Sequence, residues 1–264
     1  MQKAFPTSSP NQKTVFITGA ASGIGLATAR RFANEGWFVG LYDINGEAIE
    51  RLLSGSGFER ACGSVCDVGN LDAVHRAVAH FAEATGGRMD VLINNAGVLT
   101  AGHFEVIDPG AHEAMVRVNV LGLTQVAQAA FPLLRDTADS TLLNLCSVSS
   151  VHGVPLLAVY SASKFYVNGL TQALSIEWAE HGIRVLSIKP PFVGTTMVAG
   201  MPAQLMKSFT VDLTPDQVAD AIMHALAGSR DSYLLGGKAR ALGFLAKVLP
   251  ASLGRRIVRL VTGY

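Results

Sequence analysis

Long apolar runs are missing. No stretch of this 264-residue chain reaches the roughly 18 to 20 consecutive apolar residues that a spanning helix needs, so no segment reads as one. Cysteine is scarce as well. Cys62, Cys66 and Cys146 are an odd number with no disulfide framework, which suits a reducing compartment, and the cytoplasm is the expected location. Cys62 and Cys66 have no second ligand pair near them, and the seven histidines are scattered without an HExxH pattern. No metal site is expected. A net charge of +1 gives no electrostatic reason for nucleic acid. Internal repeats and low-complexity linkers are absent too.

What is present is apolar bulk arranged in an alternating rhythm. Hydrophobic residues make up 49% of the chain, enough for one large core at this length. Strands are predicted near 14–18, 37–42, 59–65, 89–94, 140–146, 183–189 and 232–236, with helices between them. The most amphipathic helices are 23–35, 70–84, 111–135 and 158–180. Thr214 to Gln217 reads as a capping box with proline at the first helical position, opening a helix to about Leu226. Val-Leu-Ile at 91–93 and Leu-Leu-Asn-Leu at 142–145 are continuous and non-alternating, as strands buried on both faces are. The expected fold is α/β: a single doubly wound parallel sheet of about seven strands, Rossmann-type, with helices on both faces. Residues 1–13 read as a disordered tail, 14–237 as the domain, and 238–264 as its helical extension.

Two constellations carry chemistry. Val15, Phe16 and Ile17 run into Thr18-Gly19-Ala-Ala-Ser22-Gly23-Ile24-Gly25 and then a helical pattern. This strand, glycine turn and helix start would aim unpaired amides and a positive dipole end at a pyrophosphate. The spacing is G-x-x-x-G-x-G and not G-x-G-x-x-G. A second strand ends at Asp43, where a carboxylate can accept both ribose hydroxyls and repels a 2'-phosphate; NAD is therefore expected over NADP. The other constellation is Tyr160-Ser-Ala-Ser-Lys164 with Ser147 upstream. On a helix the tyrosine and lysine share a face, so the ammonium would favour the phenolate while Ser147 holds a substrate oxygen.

With these motifs in order, the chain resembles the short-chain dehydrogenase/reductase family from about Thr14 to about Met197. Thr18 to Gly25 match its cofactor turn, Asp67-Val68 its adenine-contacting pair, and Asn94-Asn95-Ala96-Gly97 the motif closing its fourth strand. Asn119, Ser147, Tyr160 and Lys164 match its catalytic tetrad. The resemblance implies that Tyr160 is the general acid/base and Ser147 polarises the carbonyl. Lys164 would bind the nicotinamide ribose and lower the tyrosine pKa, and Asn119 would anchor a relay water. Gly19, Ser22, Gly23, Ile24, Gly25, Asp43, Asp67, Val68, Asn95, Ala96, Gly97, Tyr160, Lys164, Pro190, Val193 and Thr195 would hold the dinucleotide. Pro191 stands where the family usually has glycine, which would reshape the nicotinamide pocket. A homodimer or homotetramer is expected because relatives assemble through their long helices.

The implied function is an NAD-dependent oxidoreductase. A 3-oxoacyl-thioester-type ketone reductase, or a catalytically silent NAD-binding regulatory or scaffold protein, are the competing classes. Segments 151–159 and 192–209 are rich in Val, Leu, Phe and Met, including Met206 and Phe209, which points to an apolar small-molecule substrate such as a steroid, retinoid or long-chain alcohol. From Ser232 onward there are six basic residues and no acid, against 15 basic and 20 acidic residues before it. A basic amphipathic helix over about 252–261 would suit peripheral membrane contact, with packing on the subunit or a dimer mate as the alternative.

Overall fold

The computed structural model describes residues 6–9, 11–198, 201–203, 205, 211, 213–237, 253, 256 and 259. Its strands are β1 (Thr14–Thr18), β2 (Phe38–Asp43), β3 (Ala61–Val65), β4 (Val91–Asn94), β5 (Thr141–Leu145), β6 (Arg184–Lys189) and β7 (Ser232–Leu234). They form one sheet in the order β3-β2-β1-β4-β5-β6-β7, and every pairing is parallel. Chain order reverses between β1 and β4, and ligands of such sheets bind outside the strand C-termini at that point.

Alternation along each strand divides the core between two faces. Val15 and Ile17 point to one side with Phe32 of α1 (Gly23–Asn34), Ile49 of α2 (Gly46–Ser54) and Ile222. Phe16 points to the other side with Phe81 of α3 (Leu71–Thr85). Phe32 and Phe81 are fully buried, each contributing roughly 1.5–3 kcal/mol. A side chain at Gly40 of β2 would strike the Phe81 ring, 2.6 Å from the Cβ position, so glycine is what lets α3 sit this close. Helix α6 (Ala158–Glu177) lies on the Phe81 side, whereas α7 (Pro215–Ala227) opens with the expected capping box on the α1 side. Arg184 of β6 donates to the carbonyls of Ala225, Leu226 and Arg230 and so fixes the end of α7.

Two expectations change. The helix expected over 111–135 is three pieces: α4 (Pro109–Val116), a π-helical turn (Arg117–Gly122) and α5 (Leu123–Arg135). An apolar period of 3.6 tolerates one looped-out residue without visible disturbance, so the turn is silent in the pattern. In the segment expected to be disordered, the Ser8 amide donates to Ala84 and the Gln12 amide group to Gly36, which ties it along the sheet's N-terminal edge. No helix among the described residues is long and apolar enough to cross a membrane. The basic helix expected over 252–261 lies outside the described residues except for Leu253, Arg256 and Arg259, which are helical and exposed. Met206 and Phe209 also lie outside them.

Under β2, Tyr42 bonds His80 Nδ1 at 2.9 Å and meets Cys62 Sγ at 3.6 Å. Burial raises the Tyr42 phenol well above its ordinary value, and lifts the Cys62 thiol to about 12 and the Cys66 thiol to about 11 from 9.0. Raised values mean that the unfolded chain loses these protons first. The stability these three groups contribute is therefore fully present below pH 9.0 and is lost as pH climbs toward 12. Urea midpoints at pH 8 and 10.5 are expected to differ in that direction, and equal midpoints would contradict the burial of these groups.

Candidate active site

The sharp end of β1 organises the first half of the site. Gly19 and Gly23 adopt positive φ, +66° and +52°, which L side chains rarely take. A Cβ on Gly25 would lie 2.0 Å from the Gly19 carbonyl oxygen, so the turn folds against the first coil of α1. Ser22, the N-cap of α1, makes no side-chain cap bond, and the helix presents its first amides and positive dipole end to whatever lies above. Thr18 Oγ1 accepts from the Asn95 and Ala96 amides at 3.0 Å each, and Asn95 Nδ2 donates to the Thr18 and Gly19 carbonyls at 2.8 and 3.0 Å. These bonds lock the ends of β1 and β4 together.

Asp43 closes β2. Its Oδ2 accepts from the Ala21 amide at 3.0 Å and its Oδ1 from the Asn45 amide at 2.9 Å, which leaves one lone pair on each oxygen for a ligand. Asp67 is held by the Gly69 amide and by Arg117 Nη1, each at 2.9 Å. Arg117, from the π-helical turn, is a positioning group that sequence reasoning missed. Nothing in its sequence setting points to Asp67, fifty residues away.

The second half gathers on β5 and α6. Ser147 follows β5 by two residues, and its Oγ accepts from the Ser149 amide at 3.2 Å. The Ser147 hydroxyl lies close enough to the Tyr160 phenol to pull its pKa down. Tyr160 is half-buried as a residue, yet desolvation of its phenol pushes the pKa up to about 12, against the pull of the Ser147 hydroxyl. Lys164 is buried, and desolvation lowers its pKa. Its Nζ donates to the Leu145 carbonyl at 2.9 Å and lies 5.7 Å from the Tyr160 ring centroid. The shared helix face expected of the pair is present, the ammonium is bonded to a strand carbonyl, and burial is the largest influence on the phenol.

Asn119 is buried inside the π-helical turn. Its Oδ1 accepts from the Val98 amide at 2.8 Å, and its Nδ2 donates to the Val98 carbonyl at 2.9 Å and to Ser163 Oγ at 3.1 Å. The side chain is thus a clamp on the loop after β4. Ser163 continues the chain by donating to the Tyr160 carbonyl at 2.7 Å.

One cavity of about 510 Å³ joins the two halves. Its wall carries Ser147, Tyr160, Lys164 and every predicted cofactor residue except Gly25, which supports the turn from behind. Lys164 is the only Lys or Arg among the described wall residues. Thr195 overhangs the glycine turn, its Cγ2 3.2 Å from where a Gly23 Cβ would be. Pro191 lines the cavity, and the preceding Pro190 carbonyl accepts from the Val148 amide at 3.1 Å. Farther out the wall is apolar, with Leu99, Val154, Leu157, Phe192 and Met201 meeting the buried Leu156 and Leu205. Among the described residues no group of three or more His, Cys, Asp or Glu could hold a metal ion.

The sequence model of a family described as short chain dehydrogenase matches residues 13–205. The chain belongs to this family. A meso-2,3-butanediol dehydrogenase from Serratia marcescens is 34% identical over 232 residues, covering 86% of this chain and 91% of that protein. Among solved structures, a 3-ketoacyl-(acyl-carrier-protein) reductase from Brucella melitensis complexed with NADH is 28% identical, with a TM-score of 0.78 and coverage of 88% and 100%. A short chain dehydrogenase from Burkholderia cenocepacia in complex with NADP is 25% identical, with a TM-score of 0.81 and coverage of 94% and 98%. The family makes this chain an oxidoreductase of CH–OH groups that uses a nicotinamide dinucleotide.

The open turn and unoccupied first amides of α1 fit a pyrophosphate in shape and charge. Gly25→Ala is expected to lower stability by roughly 1–3 kcal/mol through overpacking and to abolish dinucleotide binding. Denaturant unfolding and a fluorescence titration with NADH and NADPH measure the two effects.

Proposed function

We propose that this chain is an NAD-dependent oxidoreductase interconverting a lipophilic secondary alcohol and its ketone, with Tyr160 as general acid and base. The observation that carries the reading is that Tyr160 and Ser147 share the wall of one cavity with the open glycine turn and Asp43.

Each role follows from that arrangement. Ser147 has one acceptor position taken by the Ser149 amide, which leaves its O–H to donate to a substrate oxygen. Tyr160 stands beside it to give or take the proton of that oxygen. Lys164 presents its remaining ammonium protons toward the ribose region while Leu145 anchors it. Asn119 holds the loop after β4 and, through Ser163, the backbone turn that carries Tyr160. Asp43 receives ribose hydroxyls, and Ser22 to Ile24, Asn95 to Gly97, Pro190, Val193 and Thr195 enclose the remainder of the dinucleotide. Bound there, that dinucleotide supplies or accepts the hydride.

NAD is favoured over NADP because a carboxylate stands at the end of β2 and no Lys or Arg of the described wall faces it. Its neighbours in structure include one complexed with NADH and one with NADP, so the preference rests on Asp43. The apolar outer wall supports a lipophilic substrate.

Following NADH absorbance over a panel of alcohols and ketones tests the reading, and turnover of short polar polyols alone would end the lipophilic part. Tyr160→Phe is expected to reduce turnover at least a hundredfold with NADH affinity nearly unchanged, and retained activity would refute the proton role. Asp43→Ala is expected to narrow the difference between NADH and NADPH affinity by about tenfold, read by titration with each.

A further inference from the structure

We propose that Ser149 is a specificity-determining residue that takes a second oxygen of the substrate, so that the preferred alcohol carries another hydroxyl or carbonyl oxygen beside the reacting carbon. This deepens the functional reading above and rests on it.

Ser149 lies on the cavity wall. Its residue is 3% exposed, and its Oγ is closed to solvent with no hydrogen-bond partner. The contrast with its neighbours is local and sharp. Ser150 Oγ donates to the Ser147 carbonyl at 2.7 Å, and Ser147 Oγ accepts from the Ser149 amide at 3.2 Å. Ser149 alone in this run has an idle hydroxyl. An unmade buried hydrogen bond is costly, and the few that persist in folded proteins call for a reason. A partner that arrives with the ligand is such a reason. Because no bond holds the present rotamer, the side chain can turn among its staggered wells when the partner comes.

Distance selects the partner. The Ser149 amide is 3.2 Å from Ser147 Oγ, and three covalent bonds separate that amide nitrogen from Ser149 Oγ. The two hydroxyls are therefore within roughly 7 Å of each other. An oxygen that meets Ser149 while the reacting oxygen sits on Ser147 belongs to the same small molecule, and oxygens on adjacent carbons make the shortest bridge. Val148, Val154, Leu157 and Phe192 of the wall bring only carbon from their side chains. Such a site takes a neutral, largely apolar molecule with one vicinal oxygen.

The test uses full-length wild type, Ser149→Ala and Ser149→Thr with the best monofunctional alcohol of the panel and its analogue hydroxylated at the adjacent carbon. For the diol, Ser149→Ala is expected to lose about tenfold in kcat/KM, mostly through KM, the size of one net hydrogen bond. The monofunctional alcohol should change less than about twofold by the same reasoning, and NADH affinity should not change. Ser149→Thr restores the diol preference, and the unfolding midpoint of Ser149→Ala stays level or rises because an unpaired hydroxyl is gone. Equal losses on both alcohols, no loss on the diol, or weakened NADH binding overturns the inference alone. Wild type inactive on the whole panel overturns the oxidoreductase reading and this inference with it.

Discussion

A Cβ atom at Gly25 would lie 2.0 Å from the Gly19 carbonyl oxygen and 2.6 Å from Asn95 Nδ2, and much of the site depends on that closeness. Only a residue without a side chain lets α1 begin directly over the end of β1. Asn95 can then reach across from β4 to the carbonyls of Thr18 and Gly19, while Thr18 Oγ1 returns two bonds to the Asn95 and Ala96 backbone. The result is a rigid floor at the point where chain order reverses. From there the loop after β4 runs on to Val98, and the Asn119 clamp takes it over. The nucleotide half and the proton-transfer half are thus joined by hydrogen bonds.

The proton-transfer half is built at an electrostatic cost. Lys164 is buried with a depressed pKa, and Tyr160 has a phenol pushed to about 12. Neither value helps folding near neutral pH, and the Leu145 carbonyl offsets only part of the desolvation of the ammonium. Groups held in such unfavourable states gather where function requires them. In the Tyr42, Cys62 and His80 cluster, burial shifts pKa values in the same directions. That cluster faces the core between β2 and α3 and is not on the wall of the 510 Å³ cavity, so a shifted pKa alone does not mark a site. Position at the strand C-termini distinguishes the two.

Sequence made the strands and the strand-end residues legible because both are local. Continuous apolar runs announce buried parallel strands, and Gly19, Asp43, Asn95, Ser147 and Pro190 stand within two residues of strand ends as expected. Helix spacing put Tyr160 and Lys164 on one face, since i and i+4 are neighbours in any α-helix. It could not say that Lys164 Nζ would meet a carbonyl of β5, because that contact is set by how α6 rests on the sheet. Asn119 is a poor helix former standing inside a helical pattern. The π-helical turn around it was invisible, since one extra residue barely shifts an apolar stripe. Arg117 and Ser149 were missed for a related reason: a cation on a helix and a serine in a serine-rich loop carry no sign of their partners.

The chemistry that follows from a phenol at about 12 is asymmetric. With its phenol raised to about 12, Tyr160 is protonated throughout the neutral range in the free protein, so in the general acid and base role proposed for it the acid direction is the easier. A positive charge brought into the same low-dielectric recess favours the phenolate by Coulomb attraction, and oxidised nicotinamide carries such a charge. Burial works against the charge of Lys164, and its Nζ donates to the Leu145 carbonyl. Proton acceptance is therefore coupled to what fills the cavity. The same recess that raises the phenol makes Tyr160 responsive to the charge of the group lying beside it, and a tyrosine exposed to water would lack that response.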